Sequence, residues 1–158
     1  MVYNSSTNMN IRPFKKTDTE RLLQLLRLNT PQYFSPNEEE DLTYYLENKA
    51  DNYFVLEIEG VIMGCGGFNL TNDKATGKIS WDIFHPESQG KGLGTALTRY
   101  RIQKMKEIET VKTISVRTSQ LVYKFYEKFG LEIREIVKDY WDAGFDLYRL
   151  DNTVDLVK

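Results

Sequence analysis

Apolar and polar positions alternate along the chain in patterns that separate predicted helices from predicted strands. Residues 10–14 (NIRPF) predict a short first strand, and Pro13 places it at the edge of a sheet. Thr17 and Glu20 fit a capping box in front of a leucine-rich helix, and residues 35–38 (SPNE) repeat that signal before a second helix. The chain therefore begins with a strand that is followed by two predicted helices.

β-Branched and aromatic residues dominate the middle of the chain. Residues 53–70 contain two apolar runs on either side of a Glu-Gly turn at residues 59–60, which predicts a β-hairpin. A further strand is predicted at residues 78–85 (KISWDIFH), and a helix is predicted from about residue 95 to residue 108. This part of the chain thus adds three strands and a third helix.

The last third of the chain begins with a predicted buried strand at residues 112–117. Ser119 and Gly130 have the residue types expected at the start and the end of a fourth helix. Two strands joined by a turn at residues 142–144 complete the sequence. The resulting order is β-αα-βββ-α-β-α-ββ, which predicts an α/β fold with a mixed central β-sheet flanked by about four helices.

Composition limits the kind of protein that this can be. The chain has 158 residues, and we expect a flexible leader at residues 1–8 and a single domain at residues 9–158. It has 21 basic and 23 acidic residues, a formal net charge of −2 and no basic tract, so we expect no nucleic acid partner. No apolar run approaches the roughly 20 residues of a membrane span. Cys65 is the only cysteine, which excludes an internal disulfide and indicates a reducing, cytoplasmic location.

A glycine-rich loop joins the fourth predicted strand to the third predicted helix. Residues 85–97 (HPESQGKGLGTAL) contain Gly90, Gly92 and Gly94 just before the helix, where free N–H groups and the helix dipole favour an anion. A P-loop is excluded because Gly92 follows Lys91 where a serine or threonine is required. A dinucleotide fingerprint is excluded because the third glycine comes one position too early.

The spacing that remains is Q-x-x-G-x-G, formed by Gln89, Gly92 and Gly94. It resembles the pyrophosphate-binding motif of the GNAT superfamily of acyl-CoA-dependent N-acetyltransferases. Residues 119–131 (SQLVYKFYEKFGL) also resemble the fourth helix of that family, where an F-Y-E-K-x-G signature is usual. The resemblance covers roughly residues 9–150 and includes the order of the elements.

The resemblance implies that acetyl-CoA is the acyl donor and that no metal is required. Backbone N–H groups of the loop would bind the pyrophosphate, and the strand before the loop would bind the pantetheine arm. The N–H of Phe84 would polarise the acetyl carbonyl. The residues assigned to the donor in this way are Ile83, Phe84, Gln89, Gly90, Lys91, Gly92, Leu93, Gly94, Thr95 and Ser119.

The resemblance also suggests the catalytic groups. Tyr126 matches the tyrosine that protonates the departing thiolate in the family. The fourth strand carries Lys78, Ser80 and Asp82 on one predicted face and no glutamate, which departs from the family, so Asp82 is the available general base. His85 and an ordered water are the alternatives.

The function that we expect from the sequence is acetyl transfer to a primary amine of a small molecule, a peptide or a protein. Two regions, Tyr33-Phe34 and Tyr140-Trp141, match segments that line the acceptor site in the family. One alternative is a non-catalytic module that binds or senses acyl-CoA, and another is an interaction domain with an empty loop. The resemblance is also compatible with a homodimer formed through the last strands.

Overall fold

The computed structural model of the protein describes residues 8–158. The predicted leader lies outside the described residues except for Asn8. The backbone N–H of Asn8 donates to Glu59 Oε1 at 3.1 Å, and the N–H of Glu59 donates to the carbonyl oxygen of Asn8 at 2.9 Å. Asn8 is therefore tied to the turn between the second and third strands.

Within residues 8–158, seven strands and four helices form in the predicted order. The elements are β1 Met9–Pro13, α1 Thr19–Leu28, α2 Glu38–Asn48, β2 Tyr53–Ile58, β3 Val61–Leu70, β4 Thr76–Phe84, α3 Leu93–Lys106, β5 Thr113–Thr118, α4 Tyr123–Glu127, β6 Glu132–Asp142 and β7 Phe145–Thr153. The strand order is β1-β2-β3-β4-β5-β7-β6. β4 and β5 are parallel, whereas β1 with β2, β2 with β3, β5 with β7 and β6 with β7 are antiparallel. The predicted mixed sheet is confirmed.

The described residues form two compact units. The first unit runs to Gly67 and continues from Trp81 to Thr98, and the second comprises Phe68–Ser80 and Arg99–Lys158. In the first unit the apolar faces of α1 and α2 pack on β2 and β3. The buried side chains of this core include Leu22, Leu25, Leu26, Leu42, Leu46, Val55 and Cys65.

The predicted hairpin turn is confirmed. β2 and β3 pair up to Ile58 and Val61, and the two residues between them, Glu59 and Gly60, have φ values of 50° and 79°. Two consecutive left-handed residues match the twist of the flanking strands. This turn therefore connects β2 directly to β3.

The predicted capping box at the first helix is wrong. α1 begins at Thr19 after a single turn of 3-10 helix, and the carboxylate of Asp18 accepts a hydrogen bond from the N–H of Lys15 at 2.8 Å. The same carboxylate binds the guanidinium of Arg12 at 2.9 and 3.0 Å. A buried charge must be paired, so this ion pair fixes the start of the helix in place of Thr17 and Glu20.

The residues of the second predicted cap are hydrogen-bonded to one another, although α2 begins only at Glu38, directly after Asn37. The N–H of Ser35 donates to Glu38 Oε2 at 2.7 Å, and Ser35 Oγ accepts a hydrogen bond from the N–H of Asn37 at 3.3 Å. The third helix begins at Leu93 and ends at Lys106, two residues earlier at each end than predicted. None of the helices between residues 8 and 158 has the length and apolarity of a membrane span.

Candidate active site

The loop between β4 and α3 begins with a turn that His85 holds in place. The N–H of His85 donates to the carbonyl oxygen of Met63 at 2.8 Å. His85 Nδ1 accepts a hydrogen bond from the N–H of Glu87 at 3.1 Å, and the Ser88 hydroxyl donates to the carbonyl oxygen of His85 at 2.7 Å. The imidazole therefore caps a turn with one of its two ring nitrogens.

Two loop glycines adopt a left-handed backbone. Gly90 has a φ of 78° and Gly92 has a φ of 85°. A Cβ atom built on either residue would have no atom within 4 Å from any residue other than its two chain neighbours. Glycine is therefore required by the backbone conformation and not by crowding, and the loop backbone at both positions is open to a close approach.

The loop leads directly into the first turn of α3, which contains Leu93, Gly94 and Thr95. The N–H groups of a first turn have no carbonyl partner within their own helix. The N–H of Lys91 donates to the carbonyl oxygen of Ser88 at 3.2 Å, and that of Gln89 donates to Pro86 at 3.4 Å. The donors of the first turn of α3 are thus better placed to bind an anion than those of Gln89 and Lys91.

β4 is irregular near its end. Trp81 has a φ of 52°, a conformation that bulky side chains rarely adopt. This residue interrupts the regular alternation of side chains, so the common face predicted for Lys78, Ser80 and Asp82 does not follow from the pleat of the strand. The pairing of β4 with β5 covers Thr76–Ile79. The backbone after Ile79 lies outside that pairing.

Tyr53 lies beneath this irregularity. Its hydroxyl donates to the carbonyl oxygen of Trp81 at 2.6 Å. Burial raises the pKa of Tyr53 well above its ordinary value, and Cys65, Tyr45 and Asp82 nearby raise it further. The Tyr53 hydroxyl is therefore protonated and remains a hydrogen-bond donor.

Ile83 and Phe84 form the end of the strand. Ile83 is buried and belongs to the core of the first unit, whereas Phe84 is half-buried. The ring of Phe84 lies against Gly64, where a Cβ atom would overlap it. The carbonyl oxygen of Phe84 accepts a hydrogen bond from Asn29 Nδ2 at 2.8 Å. Packing against Gly64 and the hydrogen bond from Asn29 thus fix the position of Phe84.

Aromatic side chains from the segment between α1 and α2 pack beside the end of β4. The ring of Phe34 stacks on Trp81, with ring centroids 6.2 Å apart and planes inclined by 14°. The hydroxyl of Tyr33 donates to Gln89 Oε1 at 3.4 Å. The first unit thus brings together the glycine loop, the end of β4 and the predicted acceptor-site residues Tyr33 and Phe34.

The second unit contains the other predicted donor and catalytic residues. Tyr126 lies on α4 with 5% of its surface exposed, and its ring packs edge-on against Phe125 at 5.1 Å. Ser119 is buried, and its Oγ accepts a hydrogen bond from the N–H of Leu121 at 3.2 Å in the turn before α4. α4 is flanked by Val122 and Lys128, so the helix ends predicted at Ser119 and Gly130 are wrong, and Gly130 has a φ of 89° in the turn after the helix.

Tyr140 and Trp141 lie on β6, together with a residue that the sequence analysis missed. Arg117 Nη2 donates to the Tyr140 hydroxyl at 2.7 Å, and the guanidinium lies 5.0 Å from the centre of the Tyr140 ring. Trp141 Nε1 donates to the carbonyl oxygen of Thr118 at 3.0 Å. The two aromatic residues therefore pack against the end of β5, and no local sequence signal marks Arg117 as their partner.

No cluster of three or more His, Cys, Asp or Glu side chains able to hold a metal ion occurs within residues 8–158. An open glycine loop at a helix N-terminus, next to the end of a strand whose pairing with β5 stops at Ile79, is typical of proteins that bind a phosphorylated ligand. The profile of the Acetyltransferase (GNAT) family matches residues 22–131. The chain belongs to this family of acetyltransferases.

Solved structures share the fold over nearly the whole chain. An N-acetyltransferase from Staphylococcus aureus Mu50 is 19% identical with a TM-score of 0.73, covering 93% of this chain and 99% of that one. The ribosomal-protein-S18-alanine N-acetyltransferase from Escherichia coli is 17% identical with a TM-score of 0.76, covering 93% and 94%. YncA from Salmonella typhimurium, solved with its cofactor acetyl-CoA, is 18% identical with a TM-score of 0.74, covering 94% and 95%. Among curated proteins, none matches the sequence significantly.

Proposed function

We propose that this protein is an acetyl-CoA-dependent N-acetyltransferase that transfers the acetyl group directly to a primary amine. The observation that carries the proposal is the loop with left-handed Gly90 and Gly92, which opens onto the first turn of α3. The family to which the chain belongs and the acetyl-CoA in the YncA structure support the same donor. The acceptor is a small molecule, a peptide or a protein.

The first unit fits a pyrophosphate-bearing donor. The Cβ positions of Gly90 and Gly92 are open, so the backbone of the loop is accessible to a phosphate group. The N–H groups of Leu93, Gly94 and Thr95 would donate to the phosphate oxygens, and the positive end of the α3 dipole would favour their charge. Lys91 is half-buried beside these groups and would add a positive charge.

The end of β4 would bind the arm that connects the pyrophosphate to the thioester. The backbone of Ile83 and Phe84 lies beyond the residues of β4 that pair with β5, and an extended ligand would lie along this edge of the strand. The N–H of Phe84 would donate to the acetyl carbonyl and stabilise the negative charge that develops on its oxygen. The bound thioester supplies the electrophilic carbonyl.

Proton transfer requires a base for the amine and an acid for the thiolate. Asp82, or a water next to it, would remove one proton from the acceptor ammonium so that its nitrogen lone pair attacks the carbonyl carbon. The C–S bond then breaks, and the Tyr126 hydroxyl would protonate the departing sulfur. The second proton of the attached nitrogen would pass through water to the Tyr126 oxygen, which leaves a neutral amide and restores the hydroxyl. His85 is the weaker candidate for the base because its Nδ1 already accepts a hydrogen bond from the N–H of Glu87.

Cytoplasmic location and a homodimer remain predictions. The buried thiol of Cys65, which forms no disulfide, supports a reducing compartment. The exposed apolar side chains of β6, among them Ile136 with 53% of its surface exposed, support a further protein contact at this edge strand. Sedimentation velocity would measure the oligomeric state directly.

The experiment that tests the proposed function is acetyl-CoA consumption across a panel of amines. The panel includes polyamines, amino acids and peptides with a free N-terminus or a lysine, and the release of CoA thiol is followed. We expect acceptor-dependent release by the wild-type protein. Binding of acetyl-CoA without release on any amine would favour a non-catalytic acyl-CoA module. No binding at millimolar acetyl-CoA would contradict the donor assignment altogether.

A further inference from the structure

Two buried polar side chains that no catalytic step uses are directed at the second half of β4. The hydroxyl of Tyr53, which is 1% exposed on β2, donates to the carbonyl oxygen of Trp81 at 2.6 Å. Asn29, which follows α1 and is 3% exposed, donates from Nδ2 to the carbonyl oxygen of Phe84 at 2.8 Å. The two carbonyl groups lie on either side of the short segment that contains the proposed base.

The contact with Tyr53 stabilises an unusual backbone. Trp81 has a φ of 52°, and such a conformation persists in a bulky residue only where its surroundings fix it. The stack on Phe34 fixes the indole ring, whereas Tyr53 holds the carbonyl group. Because burial keeps this hydroxyl protonated, the hydrogen bond persists over the whole physiological pH range.

The contact with Asn29 fixes the other end of the segment. Asn29 Nδ2 also donates to the carbonyl oxygen of Leu25 at 2.8 Å, so one amide group joins the end of α1 to β4. The peptide group between Phe84 and His85 is held on both sides, because its N–H donates to Met63 while its carbonyl oxygen accepts from Asn29. The end of β4 therefore has little freedom to change its direction.

We propose that Tyr53 and Asn29 are positioning residues that aim the N–H of Phe84 at the acetyl carbonyl of the donor. This inference rests on the proposed function, and neither side chain is assigned a contact with the donor itself. A hydrogen-bond donor stabilises developing charge only if its direction is fixed before the reaction, and a misplacement of about 1 Å is costly. Both side chains are buried, so they can fix that direction without meeting the substrate.

The test compares the affinities for acetyl-CoA and for CoA, which lacks the acetyl carbonyl. Titration calorimetry gives both dissociation constants for the wild-type protein, for Tyr53→Phe and for Asn29→Leu. We expect the wild type to bind acetyl-CoA more tightly than CoA. In each variant the ratio of the two affinities should fall about fivefold, while the affinity for CoA is unchanged. The 15N–1H signal of the Phe84 amide should shift on exchange of CoA for acetyl-CoA in the wild type and less in Tyr53→Phe.

Thr30→Val is the matched control. In the wild-type protein the hydroxyl of Thr30 donates to the carbonyl oxygen of Leu26 at 2.8 Å. The variant therefore loses a hydrogen bond at the same end of α1 but no contact with β4. A merely structural role would lower the melting temperature in all three variants and leave the affinity ratio unchanged, which would overturn the inference alone. A wild-type protein that binds neither ligand would overturn the proposed function and, with it, this inference.

Discussion

Tyr126 is the residue whose proposed role can be tested with the smallest change. Tyr126→Phe removes one hydroxyl and keeps the ring that packs against Phe125, so we expect a stability loss below about 1.5 kcal/mol. Loss of a general acid costs about 10² to 10⁴ in rate, and a thiolate is a modest leaving group, so we expect kcat to fall about 100-fold. The affinity for acetyl-CoA should not change. Steady-state kinetics with an acceptor from the amine panel measure both quantities.

Tyr123 provides the control for this variant. It lies one turn earlier on α4, and its ring stacks on Tyr148 with centroids 4.4 Å apart. Tyr123→Phe therefore makes the same chemical change in a side chain that packs but is not assigned to the reaction. Equal kcat values for wild type and Tyr126→Phe would remove Tyr126 from the mechanism and leave the protonation to water.

The Asp18 carboxylate should make the free energy of unfolding depend on pH. The hydrogen bonds from Arg12 hold the pKa of Asp18 below its ordinary value, so the unfolded chain binds a proton more readily than the folded protein. This contribution to stability is complete above about pH 4, the ordinary pKa of the residue, and is lost as the pH falls through the lower pKa of the folded state. We expect Asp18→Asn to destabilise the protein by about 1–3 kcal/mol at pH 7, and the difference should close towards pH 2. Urea unfolding of both proteins over this pH range measures it.

The exposed pair of Glu39 and Arg27 is the comparison for Asp18. The two side chains lie 2.8 Å apart, and the hydrogen bond from Arg27 also lowers the pKa of Glu39, but both groups are screened by solvent. Glu39→Gln should therefore give a much smaller difference at pH 7. A gap for Asp18→Asn that stays constant down to pH 2 would show that the carboxylate charge is not its cause.

At the scale of elements, matched substitutions can distinguish the role of the glycine loop from that of an ordinary turn. Gly92 and Gly60 both have left-handed φ values, 85° and 79°, and both have open space around a Cβ atom. Gly92→Val and Gly60→Val should therefore carry a similar backbone strain. Only the substitution at Gly92 would also block the approach of a phosphate group, so we expect it to weaken acetyl-CoA binding more than tenfold. Equal affinities in the two variants would show that the loop does not bind the donor.

Local signals predicted most of the elements because each of them reflects a local physical requirement. The turn at Glu59-Gly60 and the glycine loop demand left-handed backbone, which few residue types adopt, so both are visible in the sequence. The contact between Asn29 and Phe84 joins residues 55 positions apart, and an asparagine after a helix otherwise indicates only a helix end. The start of α1 was missed for a related reason, since Asp18 is fixed by Arg12 in a different element.

At the scale of the whole molecule, the chain shares its fold with solved structures of low sequence identity. The S. aureus structure covers 93% of the chain with only 19% identity, so the sheet and helices tolerate wide substitution. The same scaffold can serve many acceptors. Because the fold does not determine the acceptor, substitutions of the side chains around β4, such as Tyr53, Asn29 and Phe34, test the function of this protein more directly than its topology does.

Donor binding should stabilise the whole folded chain by mass action. At 100 times Kd, acetyl-CoA adds about 2.7 kcal/mol to the free energy of unfolding. For a chain of this size each 1 kcal/mol raises the melting temperature by about 2–4 °C, so we expect a rise of about 5–11 °C. The rise should continue with the logarithm of the ligand concentration, and sodium chloride of equal ionic strength should not reproduce it. At the same acetyl-CoA concentration, Gly92→Val should show about half of this rise or less, whereas Gly60→Val should respond like the wild type. An unchanged melting temperature of the wild type at saturating acetyl-CoA would contradict the assignment of the donor, because a ligand that binds only the folded state must stabilise it.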